Sequence, residues 1–129
     1  MRKKNKYNAK RVSVLGNEFD SRRESARYRT LLALENAGEI SDLELQKPFV
    51  LIPSQYEESN ELYKRGPNKG KRKPGRCIEH AVTYYADFCY KKNGELIVED
   101  VKGKKTADYI IKRKLMLYFF NIKIVEIRR

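Results

Sequence analysis

The chain has 129 residues and a formal net charge of +12, and its length predicts a single domain. The positive excess lies in two short segments. Residues 1–11 carry six basic side chains and residues 64–76 carry seven, with no acidic side chain in either. The other 105 residues carry 16 basic and 17 acidic side chains. The distribution predicts a polyanionic partner, and it favours nucleic acid over an anionic membrane surface.

Several classes of protein are excluded by composition. The longest apolar run, residues 115–120, is far shorter than the roughly 20 residues of a membrane-spanning helix. The charged N-terminus lacks the apolar region of a secretion signal. One His and two separated Cys that form no CxxC cannot build a zinc finger. We therefore expect a cytoplasmic protein with free thiols and no membrane partner.

The first half of the chain predicts a basic N-terminal arm over residues 1–17, followed by a single domain over residues 18–129. Ser21 and Glu24 have the spacing of a capping box, and the apolar spacing that follows predicts a helix over 21–37 with Gly38 at its end. Apolar residues over 40–52 predict a strand. Residues 53–76 contain three of the four prolines and three of the seven glycines, and they predict a flexible, solvated basic loop.

The second half predicts a hairpin, a helix and a last strand. Two strands over 77–90 and 95–102 flank Asn93-Gly94, which favours a type I′ turn. Thr106 can cap a helix over 107–120, and a strand over 122–127 follows. The order α-β-β-β-α-β predicts an α/β fold in which helices flank a mixed four-stranded sheet.

The hairpin register places charged side chains together. If Lys92 pairs with Glu95, Asp87 lies opposite Asp100, and Tyr85 lies opposite Lys102, all on one face. Facing carboxylates repel each other and raise each other's pKa, and a bound Mg²⁺ or Mn²⁺ would neutralise them. This arrangement indicates metal-assisted attack on a phosphodiester, in which Lys102 orients the water or stabilises developing charge.

A simpler interpretation of the same residues is a half-exposed hairpin whose charges are only solvated. A register slip of one residue would move Asp100 to the other face of the sheet. The catalytic interpretation therefore depends on the turn at Asn93-Gly94.

The segment Ala86-Asp87-Phe88, followed by Glu99-Asp100-Val101-Lys102, resembles the PD-(D/E)xK nuclease signature, with Ala86 in the place of its Pro. Segments 19–24, 45–48, 85–88, 98–103 and 106–109 also resemble a family of short phage and prophage proteins assigned to that superfamily. This resemblance extends from about residue 5 to residue 127. It implies a restriction-endonuclease-like fold and a nuclease acting in a bacterial host cell, with Asp87, Asp100 and Lys102 as its catalytic core.

The resemblance also implies further site residues. Glu24 would add a metal-binding carboxylate from the first helix, although the capping box explains a Glu there equally well. Gln46 resembles a glutamine that some members keep near the site, although a polar residue at a strand end explains it equally well. Glu99 could coordinate only if a bulge rotated its strand. Seven basic residues are predicted to contact nucleic-acid phosphates, or else form a solvated surface: Lys69, Lys71, Arg72, Lys73, Lys104, Lys105 and Lys112.

Two functions follow from these observations. The first is a Mg²⁺-dependent endodeoxyribonuclease, which small size and context connect with dimeric Holliday-junction resolvases that act on branched DNA. The second is a non-catalytic nucleic-acid-binding protein, because basic segments alone give salt-dependent binding without any acidic cluster.

Overall fold

A computed structural model of the chain describes residues 12–14, 16–19 and 21–128. Its strands and helices are, in chain order, β1 (Val12–Val14), β2 (Asn17–Phe19), α1 (Arg22–Asn36), β3 (Ser41–Ile52), β4 (Gln55–Tyr56), β5 (Cys77–Glu79), β6 (Val82–Lys92), β7 (Glu95–Val101), α2 (Ala107–Phe120) and β8 (Val125–Ile127). The main sheet has the order β3-β6-β7-β8. Its pairs are antiparallel except for the parallel pair β7–β8. The prediction of an α/β fold with a mixed four-stranded sheet and two flanking helices is confirmed at this level.

Both helices are set by local capping. The Ser21 hydroxyl accepts a hydrogen bond from the Glu24 N–H at 3.1 Å, which starts α1. Beyond its last turn Gly38 adopts φ +78°, a conformation that favours glycine after a helix. Thr106 caps α2 in the same way, through the Tyr109 N–H at 3.2 Å, and the left-handed Asn121 ends it. The predicted bounds of the helices therefore agree with the structure to within one residue.

The core is divided between the two faces of the sheet. On one face, Tyr28 and Leu31 of α1 pack against Phe88 and Tyr90 of β6. The other face holds Tyr109 and Met116 of α2, which pack in a second cluster with buried residues of three strands: Phe49, Leu51, Tyr84, Ala86, Cys89 and Val98. The sheet is therefore covered by one helix on each face.

The last part of the predicted N-terminal arm, from Val12 onward, belongs to a hairpin. β1 and β2 pair as a hairpin whose turn contains Gly16 at φ +81°, and this hairpin contacts α1. The reason is local, because a positive-φ glycine between two short extended segments allows the chain to reverse. The basic cluster over residues 1–11 lies outside the described residues.

The predicted flexible loop over 53–76 is instead a hydrogen-bonded excursion from the sheet. β4 pairs with β5, so the predicted strand over 77–90 is two strands with a break at residues 80–81. Beyond β4 the chain folds back on itself. The Tyr63 N–H donates to the Lys71 carbonyl at 2.9 Å, and the Lys73 N–H donates to the Glu61 carbonyl at 2.7 Å. The prediction missed this order because backbone pairing needs no buried apolar side chains. We call residues 57–76 the basic excursion.

The last strand is also shorter than predicted, since β8 covers only Val125–Ile127. Ile124, just before β8, is buried in the cluster that contains Tyr109 and Met116, which we call the α2-side cluster, as we call the cluster with Tyr28 and Leu31 the α1-side cluster. The apolar pattern therefore predicted buried residues correctly but extended beyond the hydrogen-bonded strand. Within the described part of the chain, no helix is both long and apolar enough to cross a membrane.

Candidate active site

The predicted hairpin register is confirmed as far as Phe88 and Glu99, where the ladder ends short of the predicted pairs Asp87–Asp100 and Tyr85–Lys102. Lys92 pairs with Glu95, and the ladder continues to Phe88 and Glu99. Beyond that pair, β6 continues beside β3, while β7 pairs with β8. Asp87 and Asp100 are the next residues along the two strands, so they lie where β6 and β7 separate. We call this point the fork.

At the fork, the side chain of Asp87 accepts a hydrogen bond from the backbone of β7, where the backbone pairing of β6 with β7 has ended. Its Oδ2 accepts from the Val101 backbone N–H at 2.9 Å, and its Oδ1 accepts from Gln46 Nε2 at 3.1 Å. Burial, and then the negative charge of Asp100, raise the pKa of Asp87 to about 6 even though both hydrogen bonds oppose the shift. The carboxyl is therefore held in place in a setting that disfavours its charge.

Asp100 is almost completely buried, with 3% of the residue exposed. Its Oδ2 accepts from the Tyr84 hydroxyl at 2.6 Å. Lys102 Nζ lies 2.9 Å from Oδ1 as an ion pair, yet no directional hydrogen bond from the described residues reaches that buried oxygen. Lys102 Nζ also lies 3.9 Å from the ring centre of Tyr109. Tyr84 therefore donates a hydrogen bond to one oxygen of Asp100, while the other oxygen is compensated by the positive charge of Lys102.

Tyr84 acts as a fixed donor in this arrangement. Burial, and then the charge of Asp100, raise the pKa of the Tyr84 phenol far above its ordinary value. The hydroxyl therefore stays protonated at neutral pH, and it holds the orientation of the Asp100 carboxylate.

Gln46 connects α1 with the fork. Its Nε2 donates both to Asp87 Oδ1 and, at 3.4 Å, to Glu24 Oε1, and its backbone adopts φ +51° within β3. Ser21 caps the Glu24 backbone N–H, which is one half of the predicted capping box, and the Glu24 carboxylate accepts a hydrogen bond from Gln46 beside the fork. The structure therefore brings Asp87, Asp100 and Lys102, which the hairpin register placed together, close to Glu24 and Gln46, which the resemblance implied.

Strict side-chain alternation fails at the fork. On β6, Tyr84 and Ala86 belong to the α2-side cluster, whereas Phe88 and Tyr90 belong to the α1-side cluster. β3 shows the same change, because its residues 43 and 45 pack on the α1 side while 49 and 51 pack on the α2 side. Both changes occur where Asp87 and Gln46 lie. At this point of both strands, the alternation of side chains between the two faces of the sheet shifts by one residue. We call this shift the face exchange.

This exchange explains an error in the predicted cluster. Tyr85 was expected beside the acidic residues, but it is 57% exposed and pairs with Pro48. The tyrosine that touches Asp100 is its neighbour Tyr84. Counting alternate side chains back from the turn places Tyr85, rather than Tyr84, beside Asp100, because the alternation shifts by one residue at Asp87.

Glu99 is not part of the site, so the bulge that coordination required does not occur. It lies on the α1 face with 1% exposed and accepts two hydrogen bonds from Arg27, at 2.7 and 2.6 Å. The Tyr90 hydroxyl donates a third. Glu99 therefore fastens α1 to β7, and this role was not evident from a sequence separation of 72 residues.

The predicted phosphate-binding residues fall into two groups. Lys69, Lys71 and Arg72 are exposed on the basic excursion, and Lys73 Nζ lies over the Tyr63 ring at 5.7 Å. Lys104 is also exposed, and Lys112 is half-buried on α2. Lys105 is already paired with Glu126 at 3.0 Å, so its charge is partly compensated within the protein.

The residues at the fork fit a hard divalent cation in kind. Asp87 and Asp100 supply carboxylate oxygens, the ligands that Mg²⁺ and Mn²⁺ prefer, and among the described residues the Lys102 ammonium is the one cation that contacts the buried Asp100 Oδ1. In the described ranges, no three His, Cys, Asp or Glu side chains form a group that could hold a metal ion by themselves. Backbone carbonyls and retained waters would complete the shell, as is usual for Mg²⁺.

An Asp87→Asn variant should be more stable than the wild type at neutral pH. The pKa of Asp87 is about 6 in the folded protein against an ordinary 3.8, so its contribution to stability is present below about pH 4 and is lost as the pH rises through 6. Removing the charge should therefore raise the free energy of unfolding by roughly 1–3 kcal/mol at pH 7.5 and change it little at pH 4. Urea unfolding without divalent metal measures both values. Lower stability of Asp87→Asn at pH 7.5 would contradict this electrostatic account.

Comparison with known proteins gives a family without a described activity. No curated protein and no solved structure matches the chain. One family of proteins matches residues 4–129, which is nearly the whole chain. The chain belongs to this family, which is described as a protein of unknown function, DUF1064.

Proposed function

We propose that the protein is a Mg²⁺- or Mn²⁺-dependent endodeoxyribonuclease with a restriction-endonuclease-like core. The observation that carries the proposal is the convergence of Asp87, Asp100 and Lys102 at the fork. Two carboxylates and a lysine ammonium are held there by specific hydrogen bonds and ion pairs. The order α1-β3-β6-β7-α2-β8 agrees with the α-β-β-β-α-β order expected for PD-(D/E)xK nucleases, and it supports membership of that superfamily.

The residues would divide the chemistry as follows. Asp87 and Asp100 would hold the metal, with Glu24 adding negative charge from α1. When bound, the metal polarises the phosphate and lowers the pKa of a bound water. Lys102 stabilises the negative charge that develops on the phosphate oxygens. Tyr84 fixes the orientation of Asp100, and Gln46 fixes that of Asp87.

The substrate class follows from the charge distribution. The basic excursion, with residues 1–11, supplies the positive charge that attracts a nucleic-acid backbone to a locally acidic site. We propose that the enzyme is phage-derived and that its substrate is DNA. Small size and the resemblance, rather than the charge distribution, support branched DNA such as a four-way junction as the preferred form and a homodimer as the acting species.

The test is a cleavage panel of linear, nicked, forked and four-way DNA with Mg²⁺, Mn²⁺ or EDTA. Wild-type protein should cut at least one substrate with either metal and none in EDTA. Asp100→Asn should lose cleavage while binding DNA at least as tightly, since it removes a negative charge. Asp42→Asn is the matched control, because Asp42 is exposed and its φ of +56° is tolerated by Asn. If wild type cuts none of the substrates, the nuclease proposal is wrong.

A non-catalytic nucleic-acid-binding protein is the second candidate. It is favoured by the exposed cations of the basic excursion and by the lack, among the described residues, of a three-residue metal-binding group. This candidate predicts salt-dependent binding to every substrate in the panel with no cleavage. It also predicts that Asp100→Asn has no consequence other than a small gain in affinity.

Substituting Lys69, Lys71 and Arg72 together with Gln should weaken DNA binding under either function. Each contacted phosphate lost should reduce the slope of log affinity against log salt by roughly 0.9, so the slope should fall by up to about 3. Fluorescence anisotropy across a salt series measures it. The control Lys91→Gln/Lys92→Gln removes exposed charge at the β6–β7 turn instead. Equal effects per charge in the two variants would show that only net charge matters.

A further inference from the structure

We propose that a cleft beside the fork binds a phosphate of the nucleic-acid backbone other than the one attacked. The cleft has a volume of about 250 Å³ and lies between α1 and the ends of β7 and β8. Its charged lining consists of Arg23, Arg27 and Arg128, and its apolar lining of Ala26, Val101 and Ile127. We call it the arginine cleft.

The charge of the arginine cleft favours an anion. Its lining among the described residues includes three guanidinium groups and no carboxylate. The charge of Arg27 is compensated by its ion pair with Glu99. The positive charge of the cleft therefore comes mainly from Arg23 and Arg128. Planar guanidinium groups present paired N–H donors that match the spacing of phosphate oxygens.

The position of Arg23 supports the same ligand. It lies in the first turn of α1, where the helix dipole favours an anion and disfavours a cation. The helix dipole therefore gives no reason for an arginine there. A bound anion would interact favourably with both the guanidinium group and the helix N-terminus.

The arginine cleft and the fork are built on the same strand end. Val101 lines the cleft, its N–H donates to Asp87, and it lies between Asp100 and Lys102 in sequence. Ile127, which also lines the cleft, pairs with Val101 across the parallel β7–β8 ladder. A strand that places one phosphate at the fork would therefore have another phosphate close to Arg23 and Arg128. The placement of one phosphate at the fork and another in the cleft rests on the proposed function, whereas phosphate binding in the cleft does not require cleavage.

The experiment compares Arg23→Gln/Arg128→Gln with Arg29→Gln/Lys92→Gln, which removes two exposed charges outside the cleft. Arg27 is left intact because it pairs with the buried Glu99. Duplex DNA binding is followed by anisotropy in EDTA over a salt series, so that cleavage plays no part. The cleft variant should bind on the order of tenfold more weakly at low salt, with a salt slope smaller by about 1. The control should show a clearly smaller change.

Duplexes carrying a single neutral methylphosphonate identify the phosphate. Wild type should lose affinity at one or two particular positions, and the cleft variant should be insensitive at those positions. A parallel comparison of 5′-phosphorylated and 5′-hydroxyl duplexes separates an internal phosphodiester from a terminal phosphate. Sensitivity to the 5′-phosphate alone would overturn the backbone assignment.

The proposal is also wrong if the cleft variant matches its control, if it keeps the wild-type pattern of sensitivity, or if wild type does not bind DNA. Because every measurement is made without metal, a failure of the nuclease proposal would appear in the cleavage panel alone. Loss of the methylphosphonate pattern only in the cleft variant would support the phosphate site whether or not the protein cuts DNA.

Discussion

A Lys102→Met variant is expected to cleave DNA at least 100-fold more slowly than wild type. Lys102 Nζ is the cation beside Asp100, at 2.9 Å, and the Tyr109 ring at 3.9 Å helps to hold it there. Removing one preorganised group that stabilises transition-state charge typically costs about 10²–10³ in rate. Single-turnover cleavage at saturating protein and Mg²⁺ measures this loss directly.

Two further measurements separate this role from a structural one. Met keeps the apolar stem of Lys but leaves the buried Asp100 carboxylate without its counter-ion, so the urea unfolding midpoint should fall without divalent metal and recover at saturating Mn²⁺. Affinity for Mn²⁺ should rise, because Asp100 loses its internal counter-ion. Lys104→Met is the matched control, since Lys104 is exposed two residues further along the chain. A Lys102→Met rate within threefold of wild type would exclude this lysine from the chemistry.

An Arg27→Met variant should be strongly destabilised. Glu99 is 1% exposed and receives two hydrogen bonds from Arg27, so the variant leaves a buried carboxylate with Tyr90 as its remaining described donor. Breaking a buried pair on one side usually costs 3–5 kcal/mol; here we expect roughly 2–4 kcal/mol, because Arg27 retains 25% side-chain exposure. Urea unfolding at pH 7.5 measures the change.

The double variant Arg27→Met/Glu99→Leu tests the reason for that loss. If an unpaired buried charge causes it, replacing both partners with apolar side chains should restore most of the stability. Arg29→Met, an exposed position on the same helix, should leave the unfolding midpoint nearly unchanged. A double variant no more stable than Arg27→Met would show that the geometry of the pair, rather than its charge, stabilises the fold.

The helices and the hairpin could be predicted because their determinants are neighbours in the chain. Ser21 and Thr106 cap helices through N–H groups three residues away. Asn93 and Gly94 adopt the positive φ values, +52° and +79°, that a type I′ turn requires. The turn then sets the register as far as Phe88 and Glu99. The proximity of Asp87 and Asp100 follows from this local chemistry.

The order within the basic excursion could not be predicted in the same way. Its composition, rich in proline, glycine and lysine, is that of a solvated loop, and its side chains are mostly exposed. Its regularity comes from backbone hydrogen bonds such as that between the Glu57 N–H and the Arg76 carbonyl, at 2.8 Å. Every residue can accept such a bond and every residue except proline can donate one, so the pattern of side chains carries little information about where these bonds form.

By itself, the sequence determined the helices, the turn and the register from the turn to Phe88 and Glu99, because each depends on contacts within a few positions along the chain. Only the tertiary structure decided which tyrosine touches Asp100, that Glu99 binds Arg27 and that Gln46 joins Glu24 to Asp87. Those contacts connect residues 16 to 72 positions apart. They arise where strands separate and exchange faces, and there packing on both sides of the sheet overrides simple alternation.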